Sequence, residues 1–102
     1  METKEDIVDP FYVTMKIQEQ RLHNCMLESR ASHNLMPKVI MEQLGLDITS
    51  PYHDLYSFDA KRVKCIGMIK YLVVSLTQPP MKRIMMDVVV VDIPTNFGML
   101  LS

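Results

Sequence analysis

The chain has 102 residues, 48% of them hydrophobic and 23% charged, with a formal net charge of −1. That composition excludes a disordered chain and makes one small globular domain. Near-neutral charge with scattered basic residues leaves no electrostatic footprint for nucleic acid or an anionic membrane surface.

The start, Met1-Glu2-Thr3-Lys4-Glu5-Asp6, is acidic and has no apolar stretch behind it, so no signal peptide is expected. The longest β-branched run, Val88-Val89-Val90-Val91, is too short to span a bilayer. An intracellular, cytoplasmic location is the resulting expectation. Cys25 and Cys65 are then expected as reduced thiols packed as small hydrophobes, with a disulfide between them left open.

Residues 1–10 read as a flexible acidic leader closed by Pro10, and residues 11–102 as the folded domain. Phe11, Val13, Met15 and Ile17 alternate with Tyr12, Thr14 and Lys16, the period of a half-buried strand. Gln18-Glu19-Gln20 is a polar break. Residues 21–27 read as a second strand, with Cys25, Met26 and Leu27 apolar on both faces and therefore covered on both sides. Glu28-Ser29-Arg30-Ala31-Ser32-His33-Asn34 reads as a polar loop.

Residues 37–44 are the helix candidate. Pro37 suits a first turn, Val39, Ile40 and Leu44 share a face, and Gly45 and Leu46 follow as a C-terminal cap. Leu55–Phe58 and residues 62–66 form a predicted hairpin about a turn at Asp59-Ala60-Lys61. Gly67 punctuates, and residues 71–76 make a further strand, closed by Thr77-Gln78-Pro79-Pro80. The basic clusters Lys61-Arg62-Val63-Lys64 and Lys82-Arg83 are expected at solvated turns or strand starts. Residues 84–91 are strongly β-prone, and Phe97 to Leu101 is a last short apolar segment. Six or seven short strands and one helix predict a small barrel or sandwich. Met85, Met86 and Met99 are expected as core filler, with a methionine-rich groove as the alternative.

The informative segment is Met26-Leu27-Glu28-Ser29-Arg30-Ala31-Ser32-His33-Asn34-Leu35-Met36. It resembles the active-site turn of retropepsins, in which apolar residues precede Asp-Ser/Thr-Gly-Ala-Ser, then a polar residue, Asn and an apolar pair. A second likeness runs from Asp92 through Phe97-Gly98-Met99-Leu100-Leu101-Ser102, similar to the apolar Ile-Leu-Gly element ahead of that family's last helix. The resemblance covers roughly residues 9–102 and is nearest to protease domains of plant Gypsy-class retrotransposon polyproteins. It implies a mostly β, acid-protease-like barrel with one short helix, C-terminally shortened. It also implies that the hairpin around Phe58, Asp59, Ala60 and Lys61 is the flap over the Glu28 loop.

The family's chemistry explains the motif. A retropepsin is a homodimer in which each subunit lends one aspartate, and the two carboxylates share a proton because like charges so close cannot both ionise. One carboxylate activates water and the other protonates the scissile carbonyl, so the implied substrate is a peptide and no cofactor is implied. The glycine of the motif admits a tight turn and a close backbone.

Two of these positions differ here. Glu28 stands at the aspartate position, where its extra methylene shifts a carboxylate by roughly 1.5 Å; about 1 Å of misplacement can cost about 100-fold in rate. Arg30 stands at the glycine position and brings a Cβ and a cation that favours ionised carboxylates over a shared proton. Ser29, Ala31 and Ser32 match. The expected function is a degenerate, inactive protease domain. The alternatives are a weakly active homodimeric endopeptidase using Glu28, or a partner that pairs with and modulates an intact protease domain. Ser32 and His33 are not expected to form a nucleophilic pair, since neighbours rarely aim at each other. His23, His33 and His53 lack metal-ligand spacing, and His53-Asp54 reads as a polar loop pair.

Overall fold

The computed structural model describes residues 11–27, 32–52, 55–58, 61–94 and 97–102. The leader at residues 1–10 and the pair His53-Asp54 lie outside them. The described elements run β1 (Phe11–Ile17), β2 (Gln20–Leu27), β3 (Asn34–Pro37), α1 (Lys38–Leu44), β4 (Leu55–Phe58), β5 (Lys61–Leu76), β6 (Arg83–Val91) and β7 (Leu100–Leu101). The strand order is β1-β2-β7-β3-β6-β5-β4, and a β1–β5 pairing closes the sheet on itself. The molecule is a mostly β barrel with one short helix, as expected.

β1 and β2 meet through a two-residue turn, with Ile17 opposite Gln20. Gln18 and Glu19 both hold positive φ, at 50° and 67°. That is the geometry whose twist matches the flanking strands, here achieved without glycine.

β2 departs from the expected strand covered on both sides. A bulge opposite Thr14 places Asn24 at φ 61°, so Leu22 and Cys25 both turn inward while His23, Asn24 and Leu27 face solvent. The extra residue shifts the period-2 phase, which is why the sequence looks apolar on both faces. The bulge also receives the chain's last segment: Gly98 N–H donates to the Asn24 carbonyl at 2.9 Å. A Cβ on Gly98 would stand 2.5 Å from the His23 carbonyl oxygen, so glycine is required there by close approach.

Two further departures concern continuity. Pro37 is extended (ψ 144°) and ends β3, opposite Val91, so the helix starts at Lys38. β3 itself is not among the expected strands: Asn34 ends the expected loop, Pro37 begins the expected helix, and Leu35-Met36 carry no expected element. Likewise, the two strands expected around Gly67 are one strand of 16 residues, β5, bulged between Cys65 and Gly67 and again between Ile69 and Leu72.

α1 ends as expected. Gly45, at φ 71°, donates its N–H to Glu42 O, and Leu46 donates to Met41 O and tucks into the core. Ile40 and Leu44 face inward, whereas Val39 is exposed. β6 lies between β3 and β5, and its Val88-Val89-Val90-Val91 run is fully buried. Val88 and Val90 join one apolar cluster with Met15, Ile17, Cys25 and Met99, while Val89 and Val91 join a second with Leu35, Cys65 and Phe97. Met99 is core filler as expected, but Met85 is exposed. Both cysteines are free and buried. No helix among the described residues is long and apolar enough to cross a membrane.

Candidate functional site

The candidate loop begins where β2 ends. Glu28, Ser29, Arg30 and Ala31 lie outside the described residues, as do Asp59 and Ala60 of the expected flap tip. Ser32 is described and exposed, and Phe58 and Lys61 are paired across the base of the β4–β5 turn. What the structure defines is the frame that holds both ends of the loop.

That frame is β7. It runs parallel to β2, with Met26 opposite Leu100 and Leu27 opposite Leu101, and antiparallel to β3, with Leu35 opposite Leu100. The strand entering the loop and the strand leaving it are therefore tied to the same short strand and share Leu100 as a partner. Met26 N–H donates to Met99 O at 2.8 Å, fixing the chain two residues before Glu28. On the exit side, Asn34 acts as a latch. Its Nδ2 donates to the Asp87 carbonyl of β6 at 3.1 Å, and its Oδ1 accepts from Ser102 N–H at 3.0 Å and Ser102 Oγ at 3.3 Å.

The loop exit also contacts the approach to the hairpin. Ser32 Oγ lies 3.0 Å from His33 Nδ1, and Tyr52 Oη lies 3.3 Å from His33 Nε2. The His33 and Tyr52 rings meet edge to face with centroids 5.8 Å apart. Ser32 and His33 are not expected to aim at each other, yet the two side chains are within hydrogen-bond distance at a bend in the chain. A neutral imidazole accepting from Ser32 and donating to Tyr52 satisfies both contacts. With Ser32 exposed, this chain of contacts ties the loop exit to residue 52 rather than assembling a nucleophile in a closed site.

The expected hairpin is present, Leu55 to Phe58 opposite Lys64 to Lys61, with its second strand starting one residue earlier than expected. Val63 of the hairpin, Tyr52 and Met26 pack on the same apolar cluster. The remaining reactive group nearby is Cys25, three residues before Glu28. Burial pushes its thiol up to about 11, only partly opposed by backbone hydrogen bonds at Met15 and Met99, so it is neutral at physiological pH and no nucleophile.

No protein-family model matches the sequence, and no curated protein matches it. Solved structures do. A retropepsin-like aspartic protease from Rickettsia conorii is 20% identical, with a TM-score of 0.65 over 90% of this chain and 72% of that one. The EIAV protease, solved with the inhibitor HBY-793, is 14% identical, with a TM-score of 0.66 over 94% of this chain and 84% of that one. The retroviral protease-like domain of Ddi1 from Leishmania major is 17% identical, with a TM-score of 0.60 over 93% of this chain and 73% of that one. At these identities the likeness speaks for the backbone arrangement: the chain has the retropepsin-like fold, a small mostly β barrel with one short helix.

Proposed function

We propose that this chain is a protease-derived domain of Gypsy-class retrotransposon origin that has kept the retropepsin-like fold and lost the peptidase chemistry. One observation carries the reading. β2, β7 and β3 frame a loop whose first residue, directly after Leu27, is Glu28 instead of aspartate, with Arg30 in place of glycine. A dyad of glutamates is displaced by one bond length on each side, and an arginine beside it stabilises the doubly ionised form that cannot deliver a proton.

A second feature supports pairing, either with another copy or with an intact protease domain. Phe11 and Leu27 are cross-strand neighbours at the loop end of the β1–β2 hairpin, yet they are 63% and 42% exposed. An apolar pair left in water beside the loop suits a surface that a second subunit covers. Paired with an intact domain, the chain places Glu28 opposite an ordinary aspartate and modulates rather than repeats its activity.

The test is turnover of a peptide library between acidic and neutral pH, with a pepsin-type inhibitor as control. The unmodified chain is expected to show none. Glu28→Asp alone and Arg30→Gly alone are each expected to stay at background, because the other defect persists. The double change restores Asp-Ser-Gly-Ala-Ser and is expected to raise inhibitor-sensitive turnover by on the order of 100-fold over background. Inhibitor-sensitive turnover by the unmodified chain that Glu28→Gln abolishes would instead establish the weakly active endopeptidase.

A further inference from the structure

At the opposite end of the β1–β2 hairpin the barrel wall opens. β5 pairs with β6 along residues 65–75. Its other edge is closed at two places: Met68 bridges Ser50, while Ser75 and Leu76 pair with Lys16 and Met15. Between those points Lys70 N–H donates to Thr49 Oγ1 at 2.8 Å, and beyond it residues 71–74 have no strand neighbour on that edge among the described residues. A cleft of about 910 Å³ lies there, bounded by β5, the β1–β2 turn and the segment after α1. That volume is in the range of sites that enclose a sizeable ligand. β2 is 8 residues long, so at about 3.3 Å per residue its turn end stands on the order of 25 Å from the end that enters the Glu28 loop.

The cleft has a distinctive rim. Tyr71 sits in the second β5 bulge at φ 61°, a backbone conformation rarely adopted by an aromatic residue, with its N–H held by Asp87 Oδ1 at 3.0 Å. The bulge leaves the Tyr71 side chain 68% exposed. Val73 follows at the next outward position, facing Met85, which is 64% exposed, and Met81 is 73% exposed. Charge is uneven around this apolar rim. Lys16 is matched by Glu19 at 3.3 Å. Arg21, Lys70 and Arg83 also line the cleft, and among the described residues no ion pair engages them, with Asp47 as the remaining acid.

We propose that this cleft docks an extended acidic segment of a partner protein, which adds to the open edge of β5. Backbone pairing supplies the register, alternate apolar side chains cover Tyr71 and Val73, and carboxylates face Arg21, Lys70 and Arg83. A basic segment fails on charge. The site is independent of the Glu28 loop and does not rest on its chemistry.

The experiment titrates the unmodified chain with a fluorescein-labelled peptide of alternating glutamate and valine, read by anisotropy at low salt. Saturable binding is expected. Replacing every glutamate by lysine, or methylating alternate backbone nitrogens, is expected to weaken it at least about tenfold, and so is the double variant Lys70→Glu with Arg83→Glu. Amide NMR shifts on the unmodified chain provide a readout that needs no variant, with changes expected at residues 18–21 and 69–75. Absence of binding, equal binding of the lysine or methylated peptide, an unaffected folded double variant, or shifts confined elsewhere would each overturn the proposal.

Discussion

Cys25 illustrates how single residues divide between packing and chemistry. It lies three positions before Glu28, but it is fully buried among Met15, Ile17 and Met99. Desolvation raises its thiol from an ordinary 9.0 to about 11. Well below pH 9 the thiol is neutral in both the folded and the unfolded chain and contributes no pH dependence. Between about pH 9 and 11 the unfolded chain releases the proton first, so folding stability falls as pH rises. Urea midpoints measured from pH 8 to 10.5 are therefore expected to decline more steeply for the unmodified chain than for Cys25→Ala. Equal slopes would place the thiol in a wetter environment than the one described. At the same scale, the His33 contacts were illegible in sequence. Tyr52 is 19 residues away from His33, and nothing local signals that the two rings meet.

Element by element, legibility followed local period. β1, α1 and β6 were readable because their apolar residues repeat at the spacing of one face, or of two in the case of the buried valine run. β3 was not readable. It has 4 residues and ends in proline, and it is a strand because of Val88 to Val91 alongside and Leu100 on the other side. β5 was misread as two strands because glycine usually marks a break. Gly67 has a different role here, since a Cβ at that position would stand 2.5 Å from Ile48 Cγ2. The glycine lets the segment after α1 pack directly on β5. Gly67→Ala is expected to cost about 1–3 kcal/mol through overpacking. Ile48→Ala removes the obstructing branch at its own cavity cost. The double variant should then be less destabilised than the sum of the two, with a coupling of about 0.5–3 kcal/mol in a double-mutant cycle. Strict additivity would mean that the two residues do not compete for the same space. The candidate loop rests on its resemblance to a known motif and not on period, because residues 28–34 carry no hydrophobic pattern, and residues 28–31 lie outside the described residues.

At the level of the whole molecule, the sheet is held by pairings between distant segments. β7 has 2 residues, yet it joins β2 to β3 and thereby sets both ends of the candidate loop. The exposed Phe11–Leu27 pair lies where β2 enters that loop. If pairing covers it, an introduced charge there penalises association far more than folding, since a partly exposed side chain loses little on replacement in the single chain. Leu27→Glu puts a charge from each subunit into a self-complementary contact, because an isologous interface uses the same patch on both copies. Sedimentation of the unmodified chain across a concentration series is expected to show reversible self-association. Leu27→Glu should shift it to monomer while moving the urea midpoint by less than about 1 kcal/mol equivalent. An unmodified chain that stays monomeric at the highest soluble concentration would leave pairing with an intact protease domain as the surviving form of the proposal. The same measurement on an equimolar mixture with such a domain then decides it. A mixed dimer that forms with the unmodified chain and not with Leu27→Glu assigns the surface to a partner. Two independent monomers in the mixture remove pairing altogether and leave a fold whose loop has no second carboxylate to work against.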